Sequence, residues 1–253
     1  MRLLENKVAL VTGSSRGIGA AIAQTFAAAG AKVAIHGRDP QAAESVRAAI
    51  ERSGGHAAHF LADLTRFDAV EAMRRAIEER LGPVDVLVTN AGGNELVPPG
   101  LIEDIEPAAW QATVDANLTA TFLTVKSFLP GMKSRKSGAI ITLSSAAARR
   151  PTARSPAPYT AAKAGIQLLT QVLAAQAGPC GIRANCIAPE TILTERNAQR
   201  IPKPQQETLA GSHPVARLGT PLDVASAALF LASEQSSWIT GTVLDIAGGA
   251  VMR

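Results

Sequence analysis

Tyr159 and Lys163 stand four residues apart in YTAAK, and Ser145 precedes the tyrosine by fourteen residues in ITLSSAAA. On a helix that spacing places the phenol and the ammonium on one face. A free tyrosine ionises near 10 and a free lysine near 10.4, so neither exchanges protons readily at neutral pH. A neighbouring ammonium favours the phenolate. The expectation is therefore that Lys163 lowers the pKa of Tyr159, making it a general acid for carbonyl reduction and, in reverse, a base toward an alcohol. A serine hydroxyl at the preceding strand end would donate to the oxygen on which charge grows. Such Tyr/Lys pairs also occur as solvated surface pairs. Tyr159 is, however, the only tyrosine in the chain and follows a proline-containing loop, which favours the chemical reading.

A second group lies in VTGSSRGIGAAIA, where Gly13, Gly17 and Gly19 sit between a strand and a helix start, with Ser15, Arg16 and Ile18 among them. Glycines permit a tight turn and the close approach of a pyrophosphate, whose charge is met by helix amides. A dinucleotide is the implied guest. The spacing, G-x-x-x-G-x-G, is not the commoner G-x-G-x-x-G fingerprint.

The elements needed to position these residues are legible as short β-branched runs alternating with alanine-rich helical patterns, the signature of βαβ units on a parallel sheet. Strands are expected at residues 7–12, 32–36, 57–61, 84–89, 138–143, 183–188 and 242–246, and helices at 17–29, 40–52, 66–81, 107–129, 158–177 and 221–232. The last helix is marked by Thr220 as N-cap, Pro221 at its first position and Asp223 near the exposed amides. The fold class is α/β: a three-layer Rossmann fold, a seven-stranded parallel sheet with helices on both faces. Residues 92–104 and 190–218 are less regular and lie at the carboxyl edge of strands, where such sheets bind ligands; they are candidate substrate loops or lids.

At 253 residues and 47% hydrophobic, the chain is expected to form one domain over residues 1–253. The charge of +4 is dispersed and aromatic residues are only 4%, which argues against a nucleic-acid surface. Apolar segments are short and broken by charge, so neither a membrane span nor a signal peptide is expected, and the protein reads as cytoplasmic. Cys180, Cys186 and the four histidines match no metal-ligand spacing. No metal is expected.

TGSSRGIG, the NAG of Asn90, Ala91 and Gly92, Asn117, the serine of LSS, YTAAK, GIRANCIAP and the closing ITGTVLDIAGG together resemble the short-chain dehydrogenase/reductase family, nearest to the 3-oxoacyl-(acyl-carrier-protein) reductases. The resemblance spans nearly the whole chain. It implies Asn117, Ser145, Tyr159 and Lys163 as the catalytic set, with Asn117 helping to hold a water chain that recharges the lysine. Asn90 is read as shaping the cofactor site. Family members often place the serine thirteen residues before the tyrosine, a position held here by Ala146. One extra loop residue makes Ser145 the choice and leaves Ser144 as the alternative. Asp63, with Leu64, resembles the family residue beside the adenine; it could equally cap the next helix. Pro189, Ile192 and Thr194 fit the pattern that contacts the nicotinamide.

Cofactor choice is read at VAIHGRDP. Gly37 stands where NAD-preferring relatives place an acid, and Arg38 and Arg16 could converge on a 2′-phosphate, so NADP(H) is expected over NAD(H); either arginine could instead be a surface charge. Two departures stand out. Glu190 replaces the family's usual glycine after Pro189, and Arg149, Arg150 and Arg154 crowd the loop before Tyr159. The default for that loop is a solvated segment; the alternative is attraction of an acidic or acyl-carrier-linked substrate. The leading function is NADP(H)-dependent interconversion of a ketone and a secondary alcohol, with 3-oxoacyl thioesters the first substrate class. A sugar, steroid or other secondary alcohol is the alternative, and a nucleotide-sensing protein without turnover is the reading from another class. The LLTQVLAAQ helix and the resemblance imply a homotetramer or homodimer.

Overall fold

The computed structural model describes residues 2–93, 100–153 and 155–252. Seven parallel strands form one sheet: β1 (Val8–Val11), β2 (Lys32–Gly37), β3 (His56–Leu61), β4 (Val86–Thr89), β5 (Gly138–Leu143), β6 (Ile182–Pro189) and β7 (Val243–Ile246). Their spatial order is β3-β2-β1-β4-β5-β6-β7. The order reverses between β1 and β4, which opens a crevice at the carboxyl ends of those two strands.

Alternate side chains of each strand feed two separate cores, as strand geometry requires. Ala9, Val11, Val86, Val88 and Ile141 face one side, where they meet Ile22 and Phe26 of α1 (Gly17–Ala28), Val46 and Ile50 of α2 (Pro40–Arg52), and Ala228 and Leu231 of α9 (Pro221–Ala232). Val8, Leu10, Leu87 and Ile140 face the other, against Val70 and Ile77 of α3 (Phe67–Leu81), Phe128 and Met132 of α5 (Ala120–Arg135), and Leu173 and Ala177 of α6 (Ala157–Ala177). Phe26 is fully buried; truncating it to alanine would cost about 3–5 kcal/mol.

Local chemistry sets the helix starts. Asp39 accepts from the amides of Gln41 and Ala42 at the head of α2, with Pro40 first in the helix. Thr220 and Asp223 close a reciprocal capping box on α9, and Arg217 donates to the Asp223 carboxylate, holding it well below the usual range. The head of α1 differs: Arg16 provides no side-chain cap and the first turn holds no acid. Its amides are left for another partner.

The structure departs from expectation in two stretches. The helix expected over 107–129 is α4 (Pro107–Val114), a π segment (Asp115–Thr119) and then α5, which runs through Pro130 to Arg135. Proline normally ends a helix by deleting one bond; here fully buried Met132 beyond it holds the last turns on the sheet. Within 190–218 lie two short helices, α7 (Glu195–Arg200) and α8 (Lys203–Gly211), neither with a buried residue. Lacking an apolar stripe, they carried no periodic signal. Of the loop 92–104, residues 94–99 lie outside the described residues, as does Arg154.

Candidate active site

The crevice has two lobes that share Gly13, Arg38, Asn90 and Gly92. The first, of about 310 Å³, is lined by Ser15, Gly37, Arg38, Asp63, Leu64 and Ala91. The second, of about 870 Å³, is lined by Arg16, Gly17, Ile18, Gly19, Ser145, Tyr159, Lys163, Pro189, Glu190, Ile192 and Thr194. Asn117 alone among the expected site residues lines neither lobe.

The glycine turn is built for close approach. Gly13 has φ +63°, and a Cβ at Gly19 would fall 2.3 Å from the Gly13 carbonyl oxygen and 2.5 Å from the Asn90 amide nitrogen. Asn90 clamps the turn from β4, donating to the carbonyls of Thr12 (2.9 Å) and Gly13 (3.1 Å). His36 clamps it from β2. Its Nδ1 accepts from the Gly13 amide (3.1 Å), so Nε2 carries the proton donated to the Ala62 carbonyl (3.1 Å). Burial holds this imidazole below its ordinary pKa and hence neutral. Sequence reading missed His36; its place at a strand end beside the turn was the available signal.

This cradle, the uncapped head of α1 and the two-lobed cleft fit a dinucleotide. The residues that would hold it are the glycine turn, Asn90, Asp63 with Leu64, and Ile192 with Thr194. Gly37 approaches Ser15 so closely that an added Cβ would lie 3.0 Å from the serine side chain. Arg16 lines the cleft and forms an exposed ion pair with Asp39, while Arg38 is exposed on the rim. Asp63 accepts from the amide (3.0 Å) and hydroxyl (2.7 Å) of Thr65, so it shapes the turn before α3 rather than capping that helix; those bonds hold its carboxyl below the usual range. The Thr194 hydroxyl accepts from the Asn197 amide and caps α7, and its methyl packs near Gly17.

At the other end of the cleft the two serines separate cleanly. Buried Ser144 donates to the Lys163 carbonyl (2.7 Å) and accepts from Gln167 (2.9 Å), which ties β5 to α6. Ser145 lines the cleft together with Tyr159, and its hydroxyl accepts from the Ala147 amide (3.2 Å). Lys163 is buried; its Nζ donates to the Leu143 carbonyl at 2.8 Å and lies 5.6 Å from the centre of the Tyr159 ring.

The electrostatics correct the expectation for this pair. Burial raises the Tyr159 phenol above its ordinary value, with the Ser145 hydroxyl pulling the other way, and burial pushes Lys163 down to about 8. Desolvation outweighs the cation here because the amine faces the Leu143 carbonyl and the ring, and is itself penalised for carrying charge. Tyr159 is thus a fully protonated phenol at neutral pH, above an amine that exchanges its proton near pH 8.

Asn117 is fully buried in the π segment, donating to the carbonyls of Gly93 (2.9 Å) and Thr113 (2.9 Å) and accepting from the Gly93 amide (3.1 Å). Its side chain anchors the strand-end loop that follows β4. The arginine loop is not simply solvated either. Arg149 makes a two-pronged pair with Asp245 (3.2 and 3.0 Å), both largely buried, and Arg150 donates to the Ala250 carbonyl (2.8 Å). Among the described residues no cluster of three metal-ligating side chains exists and no helix is long and apolar enough to cross a membrane.

The known proteins to which the chain is similar are named as reductases or dehydrogenases. A family profile described as enoyl-(acyl carrier protein) reductase matches residues 13–251. The chain is similar to 3-oxoacyl-(acyl-carrier-protein) reductase of Chlamydia muridarum, 38% identical and covering 98% of each chain. It is also similar to 3beta-hydroxysteroid dehydrogenase 1 of Eggerthella lenta, 40% identical over 98% of this chain and 95% of that one. The crystal structure of 3-oxoacyl-(acyl-carrier protein) reductase from Brucella melitensis superposes with a TM-score of 0.92 at 34% identity, covering 100% of this chain and 94% of the other.

Proposed function

The chain belongs to the short-chain dehydrogenase/reductase family of oxidoreductases acting on CH–OH groups, and from that premise we propose that it interconverts a ketone and a secondary alcohol with NADP(H). The observation that carries this reading is that Ser145, Tyr159 and buried Lys163 line one cleft with the glycine turn. A bound nicotinamide supplies or accepts the hydride. The rest is the work of this chain. As charge builds on the substrate oxygen, the Ser145 hydroxyl donates to it and Tyr159 passes its phenolic proton to the same atom. Lys163, with its proton exchangeable near pH 8, then helps restore the phenol.

NADP(H) over NAD(H) is supported by Gly37, which offers no carboxylate to the ribose hydroxyls, and by Arg38 and Arg16 at the rim. A 3-oxoacyl thioester is the first substrate class, supported by the Chlamydia and Brucella relatives; the steroid enzyme of Eggerthella supports the second, a secondary alcohol on another skeleton. A homotetramer or homodimer is supported by Trp110, Phe122, Leu168 and Val172, large apolar side chains left exposed on α4, α5 and α6. Cytoplasmic residence is supported by two unpaired cysteines, Cys180 and Cys186. The deciding experiment is oxidation of NADPH and NADH against a panel of acetoacetyl thioesters, cyclic ketones, steroid ketones and sugars. A higher kcat/KM with NADH would overturn the cofactor choice. Nicotinamide binding without turnover of any member would return the chain to the nucleotide-sensing class.

A further inference from the structure

Glu190 follows β6, its amide bonded to the Ile246 carbonyl of β7 (3.0 Å), and it lines both the catalytic cleft and a cavity of about 260 Å³ that His213 also lines. One carboxylate oxygen, Oε2, accepts from the Thr191 amide and lies 3.1 Å from Nε2 of His213. His213 follows α8 and is buried, and its Nδ1 lies 2.6 Å from the Leu209 carbonyl. That carbonyl only accepts, so Nδ1 carries a proton. In a neutral imidazole, Nε2 then presents a lone pair to a carboxylate. The 3.1 Å contact is a hydrogen bond only while a further proton sits between the two groups.

The imidazole lies just past the carboxyl end of α8. The other charged groups around the cavity are matched to each other: Arg217 donates to Asp223 (2.8 and 2.7 Å), and Asp245 takes Arg149. Glu190 and His213 are left as each other's partners. The pair also spans a structural gap. Neither α7 nor α8 buries a residue, and backbone bonds hold the lid near its two ends, Leu193 to Gly219 (2.7 Å) and Val215 to Gly248 (2.9 Å). Segments so lightly packed open at low free energy.

We propose that Glu190 and His213 share one proton as a latch that holds the α7–α8 lid over the catalytic cleft, making both of them substrate-positioning residues. The latch rests on the reading of that cleft as the carbonyl/alcohol site.

The test is tryptic cleavage after Arg200, exposed in α7, in the full chain, together with KM for a carbonyl substrate. Glu190→Ala and His213→Ala are expected to be cleaved about tenfold faster than wild type, with KM raised by a similar factor and kcat affected less. Glu190→Gln is the discriminating variant, because its amide donates to Nε2 in place of the shared proton, and it is expected to be cleaved as slowly as wild type. Unchanged cleavage in Glu190→Ala, or cleavage of Glu190→Gln as fast as that of Glu190→Ala, overturns the latch. Failure of every substrate in the panel would count against the proposed activity alone, since the cleavage rates decide the latch without turnover.

Discussion

Lys163→Met keeps an unbranched side chain in the same space and removes only the amine. Lys163 is 4% exposed, and burial moves the pKa of its amine from 10.5 down to about 8. In the unfolded chain it recovers its ordinary proton affinity. Between pH 8 and 10.5 the unfolded state therefore binds a proton that the native state does not, and native stability rises with pH through that window. The displacement corresponds to about 3 kcal/mol, present in full as a burden below pH 8 and gone above 10.5. The bond from Nζ to the Leu143 carbonyl offsets about 1–2 kcal/mol of it. Lys163→Met is thus expected to be inactive yet at least as stable as wild type at neutral pH, and to lose that advantage as the solution becomes alkaline. The assay is urea unfolding of both proteins from about pH 7 to about pH 10, taking the difference at each pH so that every other titrating group cancels. Wild type should gain roughly 2–3 kcal/mol on the variant across the range, equivalent to a relative shift in Tm of about 4–12 °C for a chain of this size. A difference that stays flat within about 0.5 kcal/mol would show that the buried amine is not perturbed, and the account of its proton exchange would go with it.

Three further outcomes are expected. Ser145→Ala should lower kcat by about 10²–10³ with little change in melting, whereas Ser144→Ala should cost about 1–3 kcal/mol of stability through its lost bonds to Lys163 and Gln167; a larger kcat loss in Ser144→Ala reverses the assignment. Arg38→Ala should reduce kcat/KM for NADPH by about tenfold and leave NADH nearly unaffected, and an equal loss with both cofactors would remove Arg38 from phosphate recognition. Because His36 is held neutral by burial, its contribution to stability is complete above its unfolded value of 6.5 and declines as pH falls toward its lower native value. Wild type should therefore lose stability relative to His36→Asn on going from about pH 7 to about pH 5, measured by thermal melting, and parallel curves would contradict the buried neutral tautomer.

The sheet was legible because its central strands are apolar runs whose alternate residues serve two cores, so burial and pattern agree there. Gly138–Leu143, Pro40–Arg52 and Pro221–Ala232 fall where the pattern places them, each bounded by a turn or cap that the sequence spells out. The course of the chain through Pro130 was not legible, since local propensity there is overridden by burial of Met132 against the sheet. The site was legible as residue types and not as electrostatics. YTAAK brings Tyr159 and Lys163 together, but spacing alone does not reveal that the amine points to the Leu143 carbonyl and that desolvation dominates both groups. Long-range partners were invisible for the same reason: Asp245 for Arg149, Asp39 for Arg16 and His213 for Glu190 are chosen by the folded backbone.

The absence of buried residues in α7 and α8 sets apart a region that can be rewritten. Randomising solvent-facing positions 195–211 leaves both cores, the glycine turn and the Ser145–Tyr159–Lys163 set untouched, so most members of such a library would still fold and still recognise the dinucleotide. Divergence in what the enzyme accepts can accumulate in this stretch at almost no penalty to foldability, whereas the clamp of Asn90 and Gly19 admits no drift at all.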